Sequence, residues 1–463
     1  MSAKMISIYV LGAMFVLATA LPVNMGVIAF VGAFAVGTLA AGLGAKDIMA
    51  GFPADLFLTL VGITYLFALA QNNGTIDWLV RLAVRAVRGR IAAIPWVMFF
   101  IAALLTAVGA VSPAAVAIIA PIALGFAAKY GISPLLMGLM VVHGAQGGGF
   151  SPISIYGGIT NKIVQKAGLP ISELTTAFAS LGVNLAVAVG LFFVLGGARL
   201  LRQTASTAGA GAMPAPLSPA QRAVAQEAQL YGDAEGEAVG EHERLSSGEG
   251  APAVRTPPSG DEAGAGWYRI VTLLGLVLLA VLTLGFKLDI GFVSITIGLA
   301  LALMAPTLQE RALSQVSWPE IMLIVGVSTY VGVMQKMGTI DFVGQSVAGL
   351  ASPLVAALVL CLVGAVVSAF ASSTAVLGSL IPLAVPFLQQ GTGVSAIGFI
   401  AAMAVSSTIV DVSPFSTNGA LVLANAPQGT DRRAFFRQLM TYGMGVTVVA
   451  PFVVWLLFVV IVR

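Results

Sequence analysis

Long apolar segments follow one another along most of the chain, and several approach the roughly 20 residues that cross a bilayer as a helix. No segment alternates apolar and polar residues in the short units of a membrane β-barrel. The pattern therefore predicts an all-α polytopic membrane protein. Apolar helices are predicted at Met5–Leu21, Gly26–Leu43, Leu56–Gln71, Ile94–Tyr130, Leu135–Ile159, Thr175–Leu195, Arg269–Phe286, Gly291–Pro306, Ile321–Gln335, Asp341–Leu350, Leu354–Leu388, Val394–Leu423 and Thr441–Val462.

Four of these segments are interrupted by clusters of Ser, Thr, Pro and Gly. The interruptions lie at Ser112–Pro113, Gly147–Ser154, Ser372–Thr374 and Asp411–Gly419. Irregular backbone at membrane depth is tolerated only where it is buried in protein or lines a wet cavity. Helix breaks in corresponding positions of two halves are the best sequence indication of a transporter's binding site.

The two halves of the chain repeat each other. Gly74–Asp77 recurs unchanged as Gly338–Asp341, 264 residues later, and the serine, proline and glycine pattern of Ser151–Gly157 recurs as Ser413–Gly419 after 262 residues. Ordered matches at a nearly constant offset indicate a tandem duplication. The first membrane repeat is predicted at 1–202 and the second at 267–463.

Each repeat is predicted to contain about five transmembrane helices, with a re-entrant helical hairpin and a broken helix. An odd number of crossings would invert the second copy. For Ile94–Tyr130, two full crossings joined by a tight turn remain the alternative to a hairpin. Arginines are more frequent on one predicted side, which favours that side as cytoplasmic.

Composition excludes an ordinary soluble globular protein, because 58% of the residues are hydrophobic and only 9% are charged. The segment 203–266 differs: it is acidic and rich in Ala, Gly, Pro and Ser. We expect it to be a disordered cytoplasmic linker. The chain has one cysteine, Cys361, and no Cys/His clustering, so we expect no disulfide, no cofactor and no metal beyond Na⁺ as a coupling ion.

The breaks predict a site for a small anion flanked by cation sites. Helix N-termini expose N–H groups that attract anions, whereas terminal carbonyls attract cations. The candidate substrate-binding residues are Ser112, Pro113, Ser151, Ser154, Ser373, Thr374, Ser416, Thr417 and Asn418. The candidate cation-binding residues are Ser112, Gly148, Gly149, Ser372, Asp411 and Ser413.

Asp411 is the single acidic residue deep in a predicted span, and its counterpart in the first repeat is Gly149. Intramembrane carboxylates are functional candidates by default. Asp411 is therefore expected to bind the coupling cation, the alternative being a structural cap of the helix break. His143, one turn before the first break, is either a buried hydrogen-bonded histidine or a proton carrier.

The broken segments of both halves resemble the ion transporter superfamily, most specifically the MatC-type malonate/dicarboxylate carriers, which are similar to the divalent anion/sodium symporters. Ser372–Thr374 stands where those symporters carry the second Ser-Asn-Thr tip, and Val111–Pro113 stands at the first. Gly147–Pro152 and Ser413–Gly419 look like the breaks that follow each hairpin. The resemblance implies an elevator-type homodimer with sodium at the tips.

We therefore expect a non-enzymatic secondary transporter of a small organic anion, in particular a malonate-like dicarboxylate, coupled to Na⁺ or H⁺. A multi-pass protein of the cell's inner (plasma) membrane is expected, with no nucleic acid as partner. A cation/proton antiporter, or a carrier of monocarboxylates or inorganic anions on the same scaffold, remains the alternative. An intramembrane hydrolase would need a paired aspartate or a Ser/His dyad at depth, which the sequence does not supply.

Overall fold

The fold is given by a computed structural model. It describes residues 2–21, 23–76, 78–79, 82, 90–201, 262–348, 352–369, 373–389, 393–427 and 429–461. Within these residues the regular structure is helical throughout, as the sequence predicts. Most of the predicted linker, most of the stretch 77–90, and Ser372 lie outside the described residues.

Ten helices lie in the first half. They are α1 (Ala3–Ala20), α2 (Met25–Ala35, continued by a π-helix to Ala40), α3 (Ala45–Met49), α4 (Ala54–Asn72), α5 (Ile94–Ala107), α6 (Ser112–Tyr130), α7 (Pro134–Gly148), α8 (Ile155–Lys166), α9 (Glu173–Val194) and α10 (Gly197–Leu200). This count covers the described part of the half. The short helices α3 and α10 have no counterpart in the sequence prediction.

The second half repeats this order. Its described helices are α11 (Glu262–Ala280, continued to Gly285), α12 (Ile290–Met304), α13 (Gln309–Ser314), α14 (Trp318–Lys336), α15 (Thr339–Ala348), α16 (Pro353–Ser368), α17 (Ser373–Gln389), α18 (Ala396–Ile409), α19 (Thr417–Ala424) and α20 (Arg432–Trp455, continued to Ile461). Helix α11 begins inside the segment predicted as linker. The starts of α4 and α14 are 264 residues apart, and those of α8 and α19 are 262 apart.

Several helices have the length and composition to cross a membrane. Five qualify among the described residues, or six if the bent pair α12 and α13, at 119°, is counted as one span. Shorter apolar helices account for much of the remaining described chain. Helix α6 is 19 residues long and qualifies alone, so its length does not decide between a re-entrant arm and a full crossing.

Four scaffold helices pack in two close parallel pairs. Gly26 of α2 and Gly326 of α14 each lie against the other helix's backbone, and Gly62 of α4 lies against Gly291 at the start of α12. Any larger side chain would force these backbones apart. Gly51, just before α4, lies beside the C-terminal end of α14, so the counterparts α4 and α14 run in opposite senses. An inverted second copy would give this packing; the inversion itself stays a prediction.

The duplicated tetrapeptide marks the place where each repeat docks on the first helix of the other. Thr339 of the second copy bonds Ser7 of α1 through their hydroxyls at 2.9 Å. Asn73, which directly precedes the first copy, donates to the Thr272 hydroxyl of α11 at 2.7 Å. The glycines of both motifs, including Gly74, have positive φ, which glycine adopts without steric penalty. The repeated motif is thus explained by packing, with no need for a role in binding.

An ion pair anchors the short helix α3 to the end of α14. Lys336 donates to Asp47 at 2.9 Å. This hydrogen bond and the lysine's charge keep the pKa of the exposed Asp47 carboxyl below its ordinary value.

The helices that carry the breaks cross over between the halves. Helix α6 packs against α19, and α17 packs against α8, so each helix that follows a tip meets the broken helix of the other repeat. The preceding pieces α7 and α18 are almost entirely buried. The four polar interruptions are thereby brought to one region in the interior.

Candidate functional site

The break between α18 and α19 is closed by the carboxylate of Asp411. This side chain is 4% exposed. It accepts the backbone N–H of Asn418 at 3.1 Å and the Asn418 side-chain amide at 2.8 Å. The backbone N–H is one of the donors that the N-terminus of α19 leaves without an intrahelical partner. Asp411 therefore acts as a cap, and the structure leaves a cation role at the same carboxylate open.

The first serine of each break bonds to the C-terminal end of the helix that precedes the tip. Ser151 donates to the carbonyl oxygen of Ala107 at 2.7 Å, and Ser413 donates to that of Ala369 at 3.3 Å. Both acceptors lie at the C-terminal end of a helix, where carbonyls have no intrahelical partner. The equivalence of the two contacts indicates a shared structural role in joining tip to break. The predicted ligand roles of Ser151 and Ser413 remain predictions.

The second serine of each break folds back onto the break itself. Ser154 donates to the carbonyls of Gly149 and Ser151, the latter at 2.6 Å, and Ser416 donates to the carbonyl of Ser413 at 2.8 Å. Ser154 and Ser416 are buried. Their hydroxyl protons are used internally, so a substrate could meet only their oxygen lone pairs.

A glycine follows each of these serines because the backbone returns close to itself. A Cβ at Gly157 would collide with the carbonyl oxygen of Ser151, and one at Gly419 would collide with that of Ser413. Such a collision with backbone cannot be relieved by rotating a side chain. The serine and glycine pattern that revealed the duplication is therefore the requirement of a tight break.

Hydroxyl groups from both halves of the chain meet beside the two breaks. Asn418 donates its side-chain amide to the Ser112 hydroxyl at 2.8 Å, joining residues 306 positions apart. The Tyr156 side chain interacts with the hydroxyls of both Ser112 and Ser373, and the charge of Asp411 acts on it as well. Tyr156 and Asn418 occupy equivalent positions of the two repeats. The structure thus places both tips and both breaks around one buried polar centre.

Oxygen atoms without hydrogen-bond partners lie next to Asp411. Gln146 donates its amide to the backbone carbonyl of Asp411 at 3.2 Å, and its own side-chain oxygen is buried without a partner. The side-chain oxygen of Asn418 is in the same condition. Buried polar atoms are normally hydrogen-bonded, so each exception needs an explanation. Each of these two oxygens therefore has lone pairs available to a ligand.

The other predicted tip residues lie near this centre. Ser373 begins α17, is 3% exposed, and shares a hydrogen bond of 3.0 Å with Ser368. Thr374 follows it and is buried, whereas Thr417 is half-buried. Pro113 lies in the first turn of α6, where its missing N–H costs nothing.

The predicted cation residues Gly148 and Gly149 have packing roles. A Cβ at Gly148 would collide with the Ala103 carbonyl of α5, and one at Gly149 would lie 2.8 Å from the Tyr156 ring. The Gly149 carbonyl also accepts the backbone N–H of Gly157 at 3.2 Å. Without a side chain at Gly148, α7 can lie close to α5. Without one at Gly149, the Tyr156 ring can lie close to the break.

His143 is held on both sides. Its Nδ1 lies 2.8 Å from the Asn184 side-chain oxygen and its Nε2 lies 2.6 Å from the Tyr442 hydroxyl. The ring is fully buried. The contacts join α7 to α9 and α20, as expected of the buried hydrogen-bonded histidine that was one of the two sequence-based alternatives.

Two residues near the site were missed by the sequence reasoning: Gln146 and Tyr156. Tyr156 could have been found, because the repeat offset of 262 residues aligns it with Asn418. Gln146 is a lone amide in an apolar run directly before a glycine break.

Comparisons with known proteins agree with this architecture. Residues 1–149 match the family model of the dicarboxylate carrier protein MatC N-terminus, and residues 281–463 match that of the citrate transporter family. No curated protein matches the chain. Among solved structures, the chain is similar to the YdaH transporter of Alcanivorax borkumensis, with a TM-score of 0.59, 13% identity and 98% of each chain covered. At this identity the likeness shows the fold alone.

Proposed function

We propose that this multi-pass membrane protein, whose two halves match carrier families, moves a small organic dicarboxylate such as malonate across the membrane. The sequence-based recognition of a MatC-type carrier is confirmed by the family matches, and the matched families are carriers, not enzymes. Substrate, coupling ion and mechanism belong to the proposal.

The convergence of Ser112, Ser373 and Tyr156 is the observation that carries the proposal. Each supplies a hydroxyl that can donate to a carboxylate oxygen, and the helices α6 and α17 begin at the two serines. Two helix N-termini directed at one centre favour an anion through their unpaired N–H groups. A ligand with a carboxylate at each end could use both tips at once. This geometry supports a short dicarboxylate over a monocarboxylate.

Asp411 and the amide oxygens beside it support a coupling cation. The Asp411 carboxylate and the unpartnered side-chain oxygens of Asn418 and Gln146 are oxygen ligands of the kind that hard cations prefer. Among the described residues no group of three or more His, Cys, Asp or Glu side chains could hold a metal ion, so a transition-metal centre has no support there. We propose Na⁺ at this position.

Movement of the site relative to the scaffold would supply alternating access. Helices α6–α9 and α16–α20 surround the breaks, whereas α2, α4, α12 and α14 pack in the parallel scaffold pairs. Lys162 of α8 bridges these groups by bonding the Asp55 carbonyl of α4 at 3.0 Å and Asp289 of α12 at 3.2 Å. We propose an elevator-type motion of the first group, in a homodimer in the inner membrane.

Uptake by proteoliposomes tests the proposal. Purified protein should accumulate labelled malonate when an inward sodium gradient is imposed, and unlabelled dicarboxylates should compete better than acetate or phosphate. Absence of carboxylate uptake under every imposed sodium or proton gradient would refute the proposal. Cation exchange without carboxylate movement would favour an antiporter, and uptake competed best by acetate or phosphate would favour a carrier of those anions.

A further inference from the structure

Gly378 of α17 is a buried glycine that faces open space. A Cβ at this position would meet no heavy atom within 4 Å apart from the backbone of its own helix. The other glycines of the described chain with this property are exposed or partly exposed, so the space beside them is the molecular surface. Protein interiors are normally close-packed, and the gap at Gly378 can hold at least one methyl-sized group. It lies one turn beyond Thr374, a predicted substrate-binding residue, on the same side of α17.

Thr160 of α8 carries a buried hydroxyl that has no hydrogen-bond partner in the described chain. Buried threonines in helices commonly donate to the carbonyl four residues earlier. Six buried threonines of this protein do so: Thr59, Thr64, Thr106, Thr272, Thr329 and Thr408. Val422, which has nearly the same shape, occupies the equivalent position of the second repeat, 262 residues later. The second repeat therefore folds without this hydroxyl, and a buried hydroxyl without a partner needs an explanation.

Helices α8 and α17 pack side by side and run in the same direction, with contacts near both of their ends. Near their starts the Tyr156 side chain interacts with the Ser373 hydroxyl. At their ends Gln389 donates to the Ala167 carbonyl at 3.0 Å. The start of α8 also lies at the first break, because the ring centres of Tyr156 and Phe150 are 5.5 Å apart. The boundary between the two helices therefore begins at the buried polar centre.

Thr160 and Gly378 lie on the sides of α8 and α17 that meet at this boundary. Thr160 follows Tyr156 by four residues, which is about one turn. Gly378 precedes Gln389 by 11 residues, which is about three turns. Each therefore shares a helix side with a residue that contacts the other helix. Because a helical Cβ is tilted toward the helix N-terminus, the Thr160 side chain is directed back toward the polar centre.

We propose that Thr160 and Gly378 form a subsite for a hydroxyl group on the substrate, so that the protein prefers a dicarboxylate that carries a hydroxyl beside a carboxylate. This inference rests on the proposed function, because it requires a dicarboxylate held at Ser373 and Tyr156. The substituent occupies the space at Gly378 and bonds the Thr160 hydroxyl. A methyl group of similar size would fill the space but leave that hydroxyl without a partner, which a site built for a hydroxyl rejects.

Two malonates that differ only in the substituent on their central carbon test the subsite. Hydroxymalonate carries a hydroxyl where methylmalonate carries a methyl group of nearly the same size. We expect the unmodified protein to bind hydroxymalonate about 5- to 150-fold more tightly than methylmalonate, the range that one hydrogen bond at a buried group gives. Affinities are measured by calorimetry in saturating sodium, at a pH well above the carboxyl pKa values, where all the ligands are dianions.

Three variants locate the preference. T160V removes the hydroxyl and keeps the shape of the side chain, so the preference for hydroxymalonate should disappear. T64V makes the same change at a buried threonine of α4 whose hydroxyl bonds the Leu60 carbonyl at 2.7 Å, and it should keep the preference. G378A places a methyl group in the open space, so it should weaken binding of both substituted malonates, relative to malonate itself, by about 5- to 150-fold.

Outcomes for the subsite and for the proposed function are separable. Malonate binding by the unmodified protein without a preference for hydroxymalonate, or a preference that persists in T160V, would overturn the subsite and leave the proposed function intact. Equal effects of G378A on all three ligands would overturn the subsite as well. If T160V and G378A do not fold, the comparison of the two substituted malonates in the unmodified protein decides. Binding of none of the three ligands would instead count against the proposed function.

Discussion

Replacing Asp411 with asparagine separates its two possible roles, because asparagine keeps one capping oxygen and removes the charge. The aspartate accepts two hydrogen bonds from Asn418, and the variant keeps an acceptor for one of them. Losing a bond at a buried group costs about 1–3 kcal/mol, offset in part because no charge is buried. We therefore expect D411N to fold and to reach the membrane.

The substitution D411N should weaken cation binding by much more than it lowers stability. A cation roughly 4 Å from a carboxylate gains about 4 kcal/mol at an effective dielectric constant of about 20. That energy corresponds to about a thousandfold change in affinity. Sodium-driven accumulation of malonate should therefore be lost in D411N at ordinary sodium concentrations, while downhill exchange of malonate is retained.

The assay is uptake and counterflow in proteoliposomes over a range of sodium concentrations. Asp431 provides the matched control, since it caps α20 by accepting two backbone N–H groups and is exposed, 12 residues beyond Gly419. D431N should behave like the unmodified protein. A D411N variant that accumulates malonate with unchanged sodium dependence would refute the cation role and leave Asp411 as a cap.

Three other substitutions test the remaining features. Replacing Ser373 with alanine should raise the KM for malonate about 5- to 150-fold through loss of a hydrogen bond, whereas the same change at Ser379, whose hydroxyl bonds its own helix, should have little effect; equal effects would make the tip structural. Gly419→Ala should give no monodisperse protein in detergent, because its Cβ would collide with the Ser413 carbonyl. Gly378→Ala, at a position with open space around it, should still give monodisperse protein. Lys162→Met removes the bonds that join α8 to Asp55 and Asp289, so it should lower stability by about 1 kcal/mol or less and raise turnover by less than tenfold. Reduced turnover would contradict the idea that these bonds hold the moving helices against the scaffold helices.

Much of the fold could be predicted from local patterns. Helices α4, α6, α9 and α14 lie close to their predicted bounds, because apolar length is a local property that the bilayer demands. The breaks were also predictable, since clusters of Ser, Pro and Gly disfavour a continuous apolar helix. The short helices α3 and α13 were missed because they lie in connections where no apolar period marks them.

The site was predictable only in outline. The polar residues at the breaks identified Ser112, Ser373 and Asn418 as candidate substrate-binding residues. Whether a given serine can donate to a substrate depends on whether its hydroxyl proton already bonds another group. The structure shows that Ser154 and Ser416 donate inside their own breaks. A sequence specifies a hydroxyl, whereas the neighbouring backbone decides whether it faces a ligand.

By itself, the sequence determined that this protein is helical, membrane-embedded, duplicated and interrupted at four polar points, because each of these properties depends on residues close together in the chain. Only the tertiary structure decided that Ser112 meets Asn418, and that Gln146 and Tyr156 belong to the same region. Those relations join residues up to 306 positions apart. They depend on how helices from opposite repeats pack, which no local pattern of apolar and polar residues encodes.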